Sequence, residues 1–359
     1  MKIYPFHAIR PQLDKVPHSN AFFDTVKFRY DEYVKEDLFE PTNAEAIYIY
    51  QIKTANNKKF LGLIACVDIN EYINNNIKKH EKTIITNEEL QTKLLQTRGA
   101  AIKPVLLTYP ALNALDILMQ DYIDLHRKYF VIELGDEKHR FWQITEGLIL
   151  KKIKEIFEHL PKAYIADGHH RSASFAAIHA QNPTDKTNKM LCAFFPDNQL
   201  KINAFHRVVK DLNGLSENAF LEQIRNVCHV KTLENPAFPT AKFELTMQFH
   251  DKWYQLTWKS DVLKHFAEGL IQLDVHLLNE KILKTILGIK NIRTDERVTY
   301  IEGTKSIDKE VLPSDEVAFY LFPIAFADMK RIADDDGTMP PKSTFFAPRM
   351  KNGLIIYEI

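Results

Sequence analysis

The chain lacks any surplus of charge: 47 Lys and Arg stand against 47 Asp and Glu in 359 residues. No global basic field draws it onto nucleic acid or an anionic membrane, so either partner would need a local patch. Cysteine is nearly absent. Cys66, Cys192 and Cys228 lie far apart in hydrophobic contexts without the spacing of a zinc site, and they read as buried, reduced thiols of a cytoplasmic protein. The 14 histidines show no paired spacing of a familiar metal motif either. No apolar run approaches the roughly 20 residues of a membrane span; even residues 101–118 are interrupted by Lys103, Pro104, Pro110, Asn113 and Asp116. The opening Met1–His7 has no charged region, apolar run and small-residue cleavage site, so export is not expected. Walker loop, dinucleotide glycine fingerprint and Gly-x-Ser-x-Gly elbow are missing as well, which weakens the standard kinase, dehydrogenase and hydrolase assignments.

What is present is material for a large core, 45% hydrophobic with 23 Phe, in a length that suggests two domains. The first 40 residues carry Pro5, Pro11 and Pro17 and no sustained period, which predicts an irregular lead-in with short helices. Residues 46–52 and 60–67, split by Asn56-Asn57, predict a β-hairpin, and 129–134 with 140–144 around Gly135-Asp136 a second. Thr145 is expected to cap an amphipathic helix that Pro161 ends. Ala163-Tyr164-Ile165-Ala166, the turn Asp167-Gly168-His169-His170-Arg171 and the helix-prone 172–180 read as strand, tight turn, helix. A polar linker at 182–188 suggests a boundary, with domains at 1–182 and 189–359. The second half alternates strands and helices, among them a helix over 217–227, a hairpin over 243–258, a helix from Val275 to Leu287 stopped by Gly288 and a closing strand over 353–357. The pattern is α+β, or mixed α/β, without the cadence of a doubly wound sheet.

A strand–turn–helix junction gathers backbone N–H groups at the positive end of a helix dipole and accepts anions well. At residues 167–171, Gly168 lets backbone approach a ligand, Arg171 offers a fork for phosphate, and His169 and His170 supply donors or a base. Asp167 could hold Mg²⁺ or orient a histidine. The plain alternative is a helix cap with Arg171 paired locally to Asp167; five polar residues between a dry strand and an apolar helix favour a functional site. A second cluster, Ile77 to Thr83, brings Lys78, Lys79, His80 and Glu81 to one loop, and on spacing alone a solvated charged turn is the better reading. In a third, residues 339–349, three prolines hold an extended loop presenting Lys342, Ser343 and Thr344, and a structural strap explains it equally well.

These segments, together with Lys103-Pro104-Val105, His139-Arg140-Phe141-Trp142, Arg207-Val208-Val209, Leu273-Asp274-Val275, Thr294-Asp295-Glu296-Arg297 and Met339-Pro340-Pro341-Lys342-Ser343-Thr344, resemble over nearly the full length a bacterial and archaeal domain-of-unknown-function family often labelled SpoOJ/ParA/ParB/RepB-like. Departures fall at Phe205-His206, where the family has Tyr-Asn, at Phe345 for its Trp, and at Ala347 and Arg349 for an acidic residue and Lys. The Asp-Gly-His-His-Arg turn also looks like that of the ParB/sulfiredoxin-type fold, and especially of its free serine kinases, which phosphorylate serine from ADP or ATP. That likeness implies a ParB/sulfiredoxin-like N-terminal half and a second α+β domain. It further implies that Gly168, His169, His170 and Arg171 cradle phosphate and that Asp167 aligns metal or substrate. Ser172, Lys79, His80, Lys342, Ser343 and Thr344 are further candidates for cofactor binding, Asp167, His169 and His170 for catalysis, and Glu81, from its place in its loop and not from a motif, is the candidate base. The leading expectation is a phosphotransferase using ADP or ATP with Mg²⁺ on a small hydroxyl metabolite such as free serine. A nucleotide-switched DNA-binding protein of the ParB kind would need a basic recognition helix, which the region after 217–226 lacks; a non-catalytic scaffold is the third reading.

Overall fold

Ser19 opens the first long element of the computed structural model, which describes residues 1–82, 85–264, 272–303, 312–313 and 315–359. Its side chain accepts from the Phe22 N–H at 3.2 Å and caps the helix Asn20–Lys35. Phe23, Val26, Tyr30 and Tyr33 form the buried stripe of that helix, broken only by a kink at Arg29. The expected irregular lead-in is thus corrected: aromatic residues on both faces, such as Phe28 at 72% exposure, had masked the period.

The chain forms two compact units, Met1–Lys201 with Pro348–Ile359, and Ile202–Ala347. Each contains strands and helices in a mixed α+β arrangement. The first is built on a nine-stranded mixed sheet. From one edge its strands are Ile77–Lys78, Ala163–Asp167, Val105–Tyr109, Lys189–Pro196, Lys59–Asp68, Ile47–Lys53, Glu137–Ile144 and Phe130–Leu134, with Ile3–Tyr4 added to Lys59–Asp68. Both expected hairpins are there, Tyr48 facing Ile64 in one and Glu137 facing Leu134 in the other. Two pairings are parallel, Ile77–Lys78 with Ala163–Asp167 and Val105–Tyr109 with Lys189–Pro196. The second of these lies mid-sheet, and residues 105–109 and 190–196 are buried without alternation, as a strand covered on both faces requires.

Helix Gly147–Glu158 buries Ile153 and Phe157 but is not capped by Thr145; Glu146 stands at the N-cap without a side-chain hydrogen bond. The chain closes with Tyr357–Glu358 on Ala100–Ala101, shorter than the strand expected from 353. All three cysteines are buried and free, as expected, and burial pushes the Cys228 thiol up to about 12. Among the described residues no helix is long and apolar enough to cross a membrane.

In the second unit six antiparallel strands run in the order Cys228–Leu233, Lys252–Trp258, Glu244–Phe249, Val317–Leu321, Phe205–Val209, Val298–Glu302. Helix Glu217–Val227 matches its expected bounds, capped by Ser216, whose Oγ accepts from Ala219 N–H at 3.4 Å. The helix expected from Val275 begins as Asp274–Leu277 and widens into a π-helix over Leu278–Lys284 before Gly288, where φ is 68°.

Candidate functional site

The strand carrying Asp167 does not run true. Its pairing with Val105–Tyr109 shifts between Ile165 and Asp167, so Asp167 faces Leu106 where regular register would bring Val105. Such a bulge re-aims the side chain that follows it. The turn is then a single residue, Gly168, with φ 112°, and helix His169–Gln181 begins at once. His169, His170 and Arg171 therefore belong to the first helical turn, which corrects the five-residue turn read from the sequence. A Cβ on Gly168 would sit 2.7 Å from Arg171 Nη2, so only glycine lets the guanidinium lie over this backbone.

Arg171 Nη2 donates to Asp167 Oδ2 at 2.8 Å and reaches the Pro104 and Asp167 carbonyls at 3.4 Å each. Lys103 Nζ approaches the same Oδ2 at 3.4 Å. Burial by itself would raise the Asp167 carboxyl, but Arg171 and Lys103, with Arg349 adding to the positive field, hold it far below the usual carboxylate range. Burial in turn lowers Lys103, with Asp167 only partly offsetting it. Both cations line a cleft of about 440 Å³ together with Lys27, Arg98, Asp24, Ser174 and Asn352. Its other wall is apolar, made by Phe28, Leu90, Leu94, Leu95, Ala101, Ile102 and Phe175. The volume falls within the roughly 300–1,000 Å³ of small-molecule pockets.

On the other side of the helix start, the loop read as a solvated charged turn is instead pulled in. Ile77–Lys78 pairs with Ala163 and Tyr164, which brings His80 to 1% exposure. The His80 and His169 rings meet edge to face with centroids 4.5 Å apart, and the His80 N–H points to His169 Nε2 at 3.5 Å. With Nε2 accepting, the neutral ring carries its proton on Nδ1, which faces Glu81 Oε2 at 3.7 Å. Burial drives His169 well below its ordinary value, and His80 beside it adds to the effect; burial also lowers His80 to about 4. Both rings are neutral at pH 7, while Glu81 keeps 35% side-chain exposure.

The remaining predicted residues are placed elsewhere. Ser172 is fully buried and its Oγ donates to the Gly168 carbonyl at 3.2 Å within the helix. Lys79 lies over the Tyr72 ring, 4.3 Å from its centroid. Thr83 lies outside the described residues. Lys342, Ser343 and Thr344 belong to the second unit, where Ser343 Oγ donates to Pro340 O at 2.5 Å and Lys342 Nζ stands 5.0 Å from the centre of the Phe205 ring. The sequence singled out neither Lys103 as a residue of this cleft nor Lys27 and Arg98. Only the Lys103-Pro104 dipeptide before a buried strand offered a signal.

A family model described as "Protein of unknown function (DUF1015)" matches residues 5–276, and the chain belongs to that family. Among solved structures it is similar to C-terminally truncated SbnI from Staphylococcus aureus, with 15% identity, 80% of this chain and 85% of that one covered and a TM-score of 0.45. A conserved hypothetical protein from Pyrococcus furiosus follows with 11% identity, coverage of 80% and 94%, and a TM-score of 0.40. A free serine kinase in complex with AMP shows 12% identity, coverage of 81% and 91%, and a TM-score of 0.40. No curated protein matches.

Proposed function

We propose that the first unit is a nucleotide-dependent phosphotransferase acting on a small hydroxyl compound. The observation that carries this reading is that Arg171 and Lys103, locked together on Asp167 Oδ2 at 2.8 and 3.4 Å, open onto a cleft with two more cations, Lys27 and Arg98, and an apolar wall. Clustered cations suit phosphate oxygens, and an apolar and aromatic wall suits the flat face of a base. Phosphoryl transfer asks mainly for positioning and charge neutralisation, which this arrangement supplies.

ADP or ATP, when bound, supplies the transferable phosphoryl group. Arg171, Lys103, Lys27 and Arg98 hold its phosphates; Phe28, Leu90, Leu94 and Phe175 face its apolar part. Asp167 aligns the two nearest cations. It does not fit Mg²⁺, because a third cation at that carboxylate would meet two positive charges already on Oδ2. Glu81 takes the proton of the substrate hydroxyl, and neutral His169 orients it through Nδ1–H.

Incubation with ADP or ATP and a panel of hydroxyl metabolites, free serine included, should yield a new phosphoester by ³¹P NMR in the wild type and none in Glu81→Gln. Calorimetry should show nucleotide binding that disappears in Arg171→Ala. Unchanged nucleotide affinity in that variant would count decisively against the reading.

A further inference from the structure

The second unit holds a buried charge of a different kind. Arg207, in the strand Phe205–Val209, is 1% exposed. Its Nη1 donates to the Phe205 carbonyl and its Nη2 to the carbonyls of Pro341 at 3.3 Å and Lys342 at 2.9 Å, while Nε finds no acceptor. Carbonyl dipoles share the charge without cancelling it, and among the described residues no carboxylate pairs with this guanidinium. An uncompensated buried guanidinium is strongly unfavourable, and proteins keep such groups paired as a rule. Burial pulls its pKa down to about 10, which still leaves it charged at neutral pH.

Of the charges nearby, one pair closes on itself and one carboxylate is held by neutral donors. Lys242 Nζ pairs with Asp328 Oδ2 at 2.7 Å. Asp274 accepts from the Phe243 N–H at 3.0 Å and from Trp258 Nε1–H at 3.1 Å. Arg207 has no carboxylate within bonding distance among the described residues, and it lines a cavity of about 80 Å³ whose remaining walls, apart from Lys242, Asp274, Asp328 and Ser343, are apolar residues such as Leu273, Val275 and Leu321. One water needs about 10–15 Å³ of such space, so a group of several heavy atoms fits.

We propose that this cavity binds a small organic monocarboxylate, its carboxylate against Arg207 and its hydrocarbon part against Leu273, Val275 and Leu321. One guanidinium balances one negative charge, and its fork matches a carboxylate. A phosphate dianion would be half-neutralised and would stand in the field of Asp274 and Asp328, so the single-charge anion is favoured. The site is separate from the phosphotransferase reading and stands or falls without it.

Propionate, inorganic phosphate and chloride are titrated into the full chain at constant ionic strength, with heat and the ¹³C signal of carboxyl-labelled propionate as readouts. Propionate should occupy one saturable site. Its affinity should fall at least about tenfold in Arg207→Met, the loss expected for one charged hydrogen-bonded contact. Ala325 lines the cavity and is exposed, so Ala325→Trp should narrow the entrance and weaken propionate similarly while leaving the Arg207 bonds in place. If Arg207→Met does not fold, Ala325→Trp decides by itself. No saturable binding to the wild type, binding unaffected by Ala325→Trp, or tighter binding of phosphate than of propionate at this site would overturn the proposal.

Discussion

Arg171 and Arg207 are both withdrawn from bulk water, yet they are stabilised in opposite ways. Arg171 keeps 23% side-chain exposure, shares a carboxylate with Lys103 and borders an open cleft. Arg207 is sealed at 1% exposure and held by three carbonyls. The pairing at Asp167 lets two cations stand together beside an open cleft; the carbonyl cradle holds one guanidinium with no carboxylate in bonding reach among the described residues. The contrast teaches that a carboxylate in bonding reach of the guanidinium, more than burial, separates the two places.

The sharpest break of this contrast is Arg171→Ala. Removing one partner of a hydrogen-bonded charge pair costs about 2–5 kcal/mol, so nucleotide affinity should fall by about 30-fold or more in a calorimetric titration, with far-ultraviolet dichroism unchanged. Next in size is the pH response of Asp274, whose carboxyl burial raises from 3.8 to about 6, with Lys242 as the charged neighbour lowering it. A folded-state value above the unfolded one means that stability is complete below pH 4 and is lost as pH rises through about 6, by about 3 kcal/mol if the whole shift is expressed. Thermal unfolding followed by Trp fluorescence should show this slope, and Asp274→Asn should flatten it. Asp167 gives the opposite sign: its depressed carboxyl contributes stability above the ordinary value of 3.8 that is lost only as pH falls below it. Asp167→Asn should therefore remove part of the acid limb and leave the slope between pH 4 and 6 in place.

Gly168→Ala should be milder. It forces a side chain into φ 112° and against Arg171 Nη2, with an expected loss of about 1–2 kcal/mol of stability by denaturant titration and a measurable drop in nucleotide affinity. The smallest effect belongs to Ser172→Ala. Its hydroxyl serves only the Gly168 carbonyl, so stability should change by less than about 1 kcal/mol and nucleotide affinity should not move.

Much of the architecture was legible because it rests on local signals. The hairpins around Asn56-Asn57 and Gly135-Asp136, the Ser216-capped helix and the strand–helix junction near residue 167 follow from alternation, turn residues and caps. Helix Asn20–Lys35 was not, since its buried and exposed faces both carry Phe. The pairing of Ile77–Lys78 with Ala163–Asp167 joins segments some 86 positions apart and turned a loop that looked solvated into a wall for His169. No local pattern encodes such a contact.

By itself the sequence determined the absence of a global field, the mixed α+β composition and the polar cluster at 167–171, because charge balance, hydrophobic period and glycine placement act over a few residues. The partners of that cluster were decided only by the tertiary structure. A bulge at Asp167, Lys103 arriving from the bend ahead of the neighbouring strand and His80 from beside the sheet edge depend on which distant strands pair, and that is settled by packing of the whole unit.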